Sequence, residues 1–381
     1  MLSERAKKVN PSATLVITAK AKAMAKKGID VVSFAAGQPD FLPPKNVLDA
    51  AIQSIRNGNT KYTPATGIPE LKQAVADKFK RDNNLDYSPS QISINCGAKH
   101  SIYNICQAIV DRGDEVIIPV PYWVSYPEFV TLAGGTSVFV ETDSQFKITA
   151  DAIKEKITGR TKLIILNSPS NPTGAVIRED ELKKIADLAV EHNIYVISDE
   201  IYEKIIYGKK HFSIASLNDK IKSLTFTVNG MSKAYAMPGW RLGYLAGPQE
   251  AVDAISRIQE NSTSNPSSIV QDAALEALNG PQEFLKGFVS EFEKRRDYIV
   301  NALNNIKGVS CNKPDGAFYV FPKVETKNSV KLCEEMLEKA NVACIPGAPF
   351  GKEGYIRLSY AASMGQIEKG IARLKEFLEK L

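Results

Sequence analysis

The chain has 381 residues, 44% hydrophobic and 24% charged, with a formal net charge of +5; that is long enough for two substructures around a shared cleft and ordinary for a soluble globular protein. No apolar run approaches the ~20 residues needed to span a bilayer, and lysines and acids are interspersed rather than gathered into a nucleic-acid-binding arm. The five cysteines are odd in number, scattered and free of any C-x-x-C pair, which argues for free thiols in a reducing cytoplasm and against a zinc site.

The opening, MLSERAKKVNPSATLVITAKAKAM, is basic, but its apolar stretch is short and soon meets lysines, which argues against a secretory signal. The sheet pattern starts only after Asp86. Apolar, β-branched runs then recur at 91–95, 115–120, 136–141, 163–167, 195–198, 224–228 and 242–246. Amphipathic stretches such as 179–192, with apolar residues at helical spacing, lie between them. Seven strands alternating with helices predict a mostly parallel sheet covered on both faces. From about Pro281 the pattern changes to a charged helix through 295–304, a strand at GAFYVFP, a helix at 330–340, strands at VACIP and YIRLSYA, and a final helix. The expected division is an N-terminal segment, 1–45, packing with a small domain at 286–381, and a large domain at 46–285.

No G-x-G-x-x-G and no G-x-x-x-x-G-K-[ST] occurs, so dinucleotide and P-loop readings lose their main support. None of His100, His192 and His211 sits in an H-E-x-x-H pattern, and no metal is expected. The segment TVNGMSKAYAMPGWRLGY, 227–244, places Lys233 just after a strand and Arg241 eight residues on. A lysine at the carboxyl edge of a sheet is a candidate amine nucleophile where its surroundings favour the neutral form. An arginine nearby can grip a phosphate with two parallel hydrogen bonds. Asp199 ends another strand, in Ser198-Asp199-Glu200-Ile201-Tyr202. It can pair with a protonated ring nitrogen or simply cap the next helix. Asn171 stands in a rigid turn with two prolines and a glycine, NSPSNPTG. Gly97 and Ala98 open a helix whose backbone N–H groups suit a phosphate, or form an ordinary strand-to-helix turn.

Together these segments resemble the class I/II aminotransferases of pyridoxal phosphate (PLP) fold type I, with motifs in the family's order from Ala36-Gly37-Gln38-Pro39-Asp40 to Tyr355-Ile356-Arg357-Leu358-Ser359. The bacterial aspartate aminotransferase group matches best, through Lys99, Tyr122-Trp123-Val124-Ser125-Tyr126 and the Lys233 loop. The resemblance implies an α/β fold with a large, mainly parallel seven-stranded domain and a smaller α/β domain. It also implies roles. Lys233 holds the cofactor covalently and shuttles the α-proton. Asp199 keeps the pyridine nitrogen protonated, so that the ring takes up carbanion charge. Tyr202 and Asn171 bond the ring oxygen, Trp123 stacks on the ring, and Arg241, Gly97 and Ala98 bind the phosphate. Arg357 clamps the substrate α-carboxylate, Lys99 borders the cofactor and meets a distal carboxylate, and Gly37 lets backbone approach the substrate. Tyr62, in Asn59-Thr60-Lys61-Tyr62-Thr63-Pro64, resembles a tyrosine that reaches the phosphate across a homodimer interface.

One position departs from the pattern. Many relatives have a phosphate-binding serine three residues before the lysine, and this chain has Gly230 there; Ser232 is the nearest substitute. Relatives that accept prephenate carry a basic residue and a threonine where this chain has Asn10 and Ala35. The implied reaction is transfer of an amino group, best fitted by L-aspartate and 2-oxoglutarate, in a cytoplasmic enzyme with no nucleic-acid or membrane partner. The rivals are an aromatic aminotransferase, a PLP-dependent β-lyase, and a non-catalytic PLP sensor. One fold hosts many reactions, so fold alone does not choose among them.

Overall fold

The computed structural model describes residues 2–380. Seven strands form the central sheet: β1 (Ile92–Asn95), β2 (Glu115–Val120), β3 (Thr136–Glu141), β4 (Thr161–Asn167), β5 (Tyr195–Asp199), β6 (Thr225–Gly230) and β7 (Gly243–Ala246), in the order β1-β7-β6-β5-β4-β2-β3. All pairings are parallel except the two made by β7, which runs against β6 and β1. Both faces of the sheet are covered. In β4, Leu163 and Ile165 pack toward helices Ala98–Ile109 and Gln249–Glu260. Ile164 and Leu166 pack the other way, against helix Glu179–Glu191. Burial on both faces is why the inner strands read as continuous apolar runs rather than alternating ones.

The sequence ends β6 at Val228, whereas the strand continues through Asn229 and Gly230, which pair with Tyr244 and Gly243. Polar and glycine residues hid those last two rungs. The C-terminal layer is built around β10 (Ile356–Ser359), flanked antiparallel by β8 (Tyr319–Val320) and β9 (Ile345–Pro346). Each flanking strand is shorter than its apolar run, and VACIP is split at Cys344 between β9 and a second pair. Helices Phe284–Asn304 and Met364–Leu378 pack beside this layer through Phe292, Ile299, Ile367 and Leu374.

The N-terminal segment lies on the C-terminal layer. Val32 and Ser33 pair parallel with Val342 and Ala343. The Phe34 N–H donates to Ala343 O at 2.8 Å, and Phe34 O accepts from the Ser359 N–H at 2.9 Å. Helix Ala13–Lys26 buries only Ile17 and Ala21, against Phe321, Leu337 and Phe350. So sparse an apolar stripe carries little periodic signal.

Because β4, β5 and β6 are parallel, their carboxyl ends Asn167, Asp199 and Gly230 share one edge of the sheet. That edge faces the C-terminal layer across a cleft, the usual ligand position in such sheets.

Candidate active site

The cleft has a volume of about 610 Å³, within the range of small-molecule sites. At its floor Asp199 is buried, with 4% of its surface exposed. Its Oδ2 accepts from the Tyr126 hydroxyl at 2.6 Å, and its Oδ1 from the Ile201 N–H at 3.3 Å. Burial raises the carboxyl pKa to about 6, against the opposing pull of those two donors and of Lys233. A cation placed beside it would bring the carboxylate back to its ionised form.

Lys233 stands past the end of β6, in the turn closed by the Met237 N–H donating to Met231 O at 3.2 Å. Its Nζ donates to Gly37 O at 2.6 Å, joining the sheet edge to the N-terminal segment. Burial lowers the ammonium pKa to about 8, and the charges of Arg357 and Arg241 push the same way. A fraction of neutral amine near neutrality is what a nucleophilic lysine requires.

Arg357 projects from β10 and is buried. Its Nη1 donates to Asn171 Oδ1 at 3.0 Å and its Nη2 to Ala35 O at 2.9 Å. Its Nε has no hydrogen-bond partner among the described residues. Among the described residues no carboxylate pairs with it. Lys99 and Arg241 line the same cleft and are also unpaired with any carboxylate among the described residues. Lys99 Nζ lies 4.9 Å from the centre of the Trp123 ring.

At the far end, Gly97 caps helix Ala98–Ile109 with φ +88°. A Cβ there would sit 2.6 Å from Arg241 Nη2. Both the positive φ and the close approach require glycine. The result is a concavity of helix N-terminal amides beside a guanidinium, suited to a phosphate. Gly230 has a different cause. A Cβ on it would lie 2.7 Å from Gly243 Cα and 3.0 Å from Leu242 O, so the close β6–β7 approach leaves no room for serine. Gly230 is absent from the cleft wall; buried Ser232 is part of it.

A carboxylate at the floor, a lowered-pKa lysine, a phosphate-shaped end and an unpartnered Arg357 Nε suit a phosphorylated pyridine aldehyde and a carboxylic acid. The model of the family described as aminotransferase class I and II matches residues 29–374. The chain belongs to that family. It is 49% identical to an aspartate aminotransferase of Bacillus sp. YM-2, with 100% of this chain and 99% of the relative covered. It is 47% identical to a probable aspartate/prephenate aminotransferase of Aquifex aeolicus, over 100% of this chain and 99% of the relative. The solved Thermus thermophilus aspartate aminotransferase with maleate superposes with a TM-score of 0.96 at 42% identity, covering 99% of this chain and 100% of that one. The protein is therefore a PLP-dependent aminotransferase of fold type I.

The aminotransferase brings Gly37, Ala98, Lys99, Trp123, Asn171, Asp199, Tyr202, Ser232, Lys233, Arg241 and Arg357 to one cleft, with Gly97 at its phosphate-shaped end. Tyr62 is not among them: its side chain is 91% exposed, away from the cleft of its own chain. Three contributors escaped the sequence reading. Tyr126 holds Asp199; it stands three residues after Trp123, at the start of helix Tyr126–Ala133, in a segment already singled out. Asn167 ends β4, donates its Nδ2 to Asp199 O at 2.9 Å and accepts the Asn171 N–H at 2.7 Å. Tyr319 bonds Tyr202, with the two hydroxyl oxygens 2.8 Å apart. Asn167 opens the NSPSNPTG turn and Tyr319 lies in the GAFYVFP strand, but neither segment shows which residue across the cleft its side chain meets.

Proposed function

We propose that this aminotransferase moves the amino group of L-aspartate to 2-oxoglutarate, yielding oxaloacetate and L-glutamate. The observation that carries the reading is the set of cations, Arg357 and Lys99, that face one cleft without carboxylate partners among the described residues. A buried guanidinium satisfied only by neutral oxygens favours an anion at its free edge. Lys99, exposed at the mouth and set over Trp123, offers a second cation for the distal carboxylate of a dicarboxylic acid. The names of the relatives support the same substrate class.

In this reading PLP supplies the carbonyl that takes the amino group and the ring that draws off electrons. Lys233 holds the cofactor and, once released, carries the α-proton. Asp199, kept in place by Tyr126, stays ionised opposite the pyridinium. Tyr202 donates to the ring oxygen together with Asn171, whose Oδ1 is already engaged by Arg357, which leaves its Nδ2 to donate. Gly97, Ala98, Ser232 and Arg241 bind the phosphate, Trp123 covers the ring, Gly37 borders the substrate, and Arg357 takes the α-carboxylate.

The division into 1–45, 46–285 and 286–381 and a cytoplasmic location belong to the same proposal. So does a homodimer in which Tyr62 completes the phosphate site of a second copy. Its exposure, like that of Leu42, Ile52 and Ile55, supports such an interface. Prephenate is a poor acceptor in this reading. The Asn10 side chain is spent on Glu128, donating at 3.1 Å. Ala35 offers only its backbone oxygen, and Arg357 uses it.

The test compares kcat/KM for aspartate, tyrosine and alanine, with 2-oxoglutarate as acceptor, in wild type and Lys99→Ala. A lost charge-assisted hydrogen bond corresponds to roughly a 10- to 100-fold drop. That drop is expected for aspartate, with less than threefold change (about 0.7 kcal/mol) for the other two. Equal losses for all three donors would show that Lys99 serves the fold or the cofactor. Efficient turnover of prephenate would overturn the reading of Asn10 and Ala35.

A further inference from the structure

Tyr319 touches three groups of the site at once. Its hydroxyl oxygen lies 2.8 Å from that of Tyr202. Its ring centre is 4.6 Å from the Arg357 guanidinium carbon. The same hydroxyl fills the space over Gly37, where a Cβ would come within 2.6 Å of it. The side chain is 1% exposed, and its backbone is fixed by β8, which registers Tyr319 against Ser359, two residues from Arg357 on β10. Phe318 packs against it at 4.8 Å between ring centres, and the Tyr202 ring lies edge-on at 5.7 Å.

We propose that Tyr319 is a positioning residue that orders the two ends of the site through two separate parts of one side chain. This rests on the roles proposed above for Tyr202 and Arg357. The hydroxyl sets the direction and strength of the Tyr202 hydroxyl. Two phenols at hydrogen-bond distance share one donor direction: when Tyr319 donates to Tyr202, the Tyr202 proton is directed elsewhere, and the bond it makes is strengthened by the chain. The ring sets the plane of Arg357. A guanidinium over an aromatic face keeps its edge free for a carboxylate, and the Nε left unpartnered on Arg357 lies on such an edge. Tyr319 thus spans from the C-terminal layer, which carries Arg357, to Tyr202 beyond the end of β5.

The two parts separate by substitution. Tyr319→Phe keeps the ring and deletes the hydroxyl; Tyr319→Leu removes both. The first readout is the pH midpoint of the bound cofactor's visible absorbance. A hydroxyl that donates to the ring oxygen spreads its negative charge. A weaker donor leaves that oxygen holding the nearby proton more tightly, so the midpoint rises. The expected shift for Tyr319→Phe is roughly half a pH unit, in the same direction as for Tyr202→Phe and smaller. The second readout is the Kd of maleate, a dicarboxylate that cannot react. It stays within about twofold in Tyr319→Phe and weakens roughly tenfold in Tyr319→Leu, the scale of a cation–π contact at a desolvated site.

A midpoint unmoved by Tyr319→Phe but raised by Tyr202→Phe would overturn the hydroxyl half and leave the role of Tyr202 standing. A midpoint unmoved by either would overturn both. Unchanged maleate binding in a folded Tyr319→Leu would overturn the ring half. If Tyr319→Leu does not fold, Tyr319→Met takes its place in the maleate measurement, with the same outcomes decisive.

Discussion

Lys233 is an amine in surroundings that disfavour its charge. Burial, with Arg357 and Arg241 nearby, lowers its pKa to about 8, so at neutral pH a minor but useful share is nucleophilic. The cofactor-free protein should therefore take up PLP faster as pH rises, levelling off above about pH 8. Absorbance stopped-flow from pH 6 to 9 measures this. A flat profile would mean that proton loss from Lys233 does not limit uptake. Lys233→Ala should bind PLP without a bond that borohydride can reduce, and should lose most turnover. Asp199 has the opposite problem, since burial raises its pKa to about 6. In the proposed reading a pyridinium beside Asp199 would restore its carboxylate, and Lys233 would be covalently tied to the cofactor rather than left as a free ammonium. Both residues were legible because Asp199 ends a strand and Lys233 stands just past one, each in a short local pattern. Tyr126, which fixes the Asp199 carboxylate, was not, because the contact joins residues 73 positions apart.

The segment after β5 and helix Pro69–Asn83 meet over a buried charge network. Lys78 pairs with Glu203. Asn83 Nδ2 donates to Glu203 at 2.6 Å and to Glu200 at 3.2 Å. Glu200 also accepts from Ser198 and Ser213, and lies 3.0 Å from His211 Nε2. The ligand atoms of Glu200, Glu203 and His211 gather within 4.8 Å of one another, but the Lys78 ammonium and the donating Asn83 amide already satisfy the carboxylates there. Burial alone would lower the His211 pKa; the Glu200 carboxylate outweighs it, and the pKa is raised. A folded-state pKa above the unfolded one means the contribution is full below about pH 6.5 and is lost as pH rises through the folded value. His211→Gln should destabilise the protein by roughly 3 kcal/mol at pH 6, and by less at pH 9. Urea unfolding at both pH values checks this, and an equal loss at both would rule out the imidazolium as the source.

For the whole molecule, the proposed homodimer would complete each cleft with Tyr62 of a second copy. Tyr62 stands in solvent at 91% exposure, and Ile52 and Ile55 share helix Lys45–Arg56 with their side chains exposed. Two copies joined on this face would cover those side chains and carry Tyr62 to the second cleft. Sedimentation should find a dimer, and specific activity should fall on dilution below its dissociation constant. Tyr62→Phe should weaken PLP binding by roughly tenfold, the scale of one charge-assisted hydrogen bond. A monomer with full activity at high dilution would refute the shared site.

Local chemistry was enough to read the strands of the large sheet and to single out Gly97 and the Lys233 loop as candidates, whose roles came from the family resemblance. Strands buried on both faces are continuous β-branched runs, and Gly97 must be glycine for its own φ. The C-terminal strands were blurred because two-residue pairings such as Tyr319–Val320 are too short to impose a period. Helix Ala13–Lys26 was missed because only Ile17 and Ala21 are buried. Contacts between distant positions lay beyond any local pattern: Arg357 with Asn171 spans 186 residues, and Tyr202 with Tyr319 spans 117. Side-chain type states what a residue can bond, whereas the pairing of β8 with β10 and the shared edge of β4, β5 and β6 decide which partner it meets.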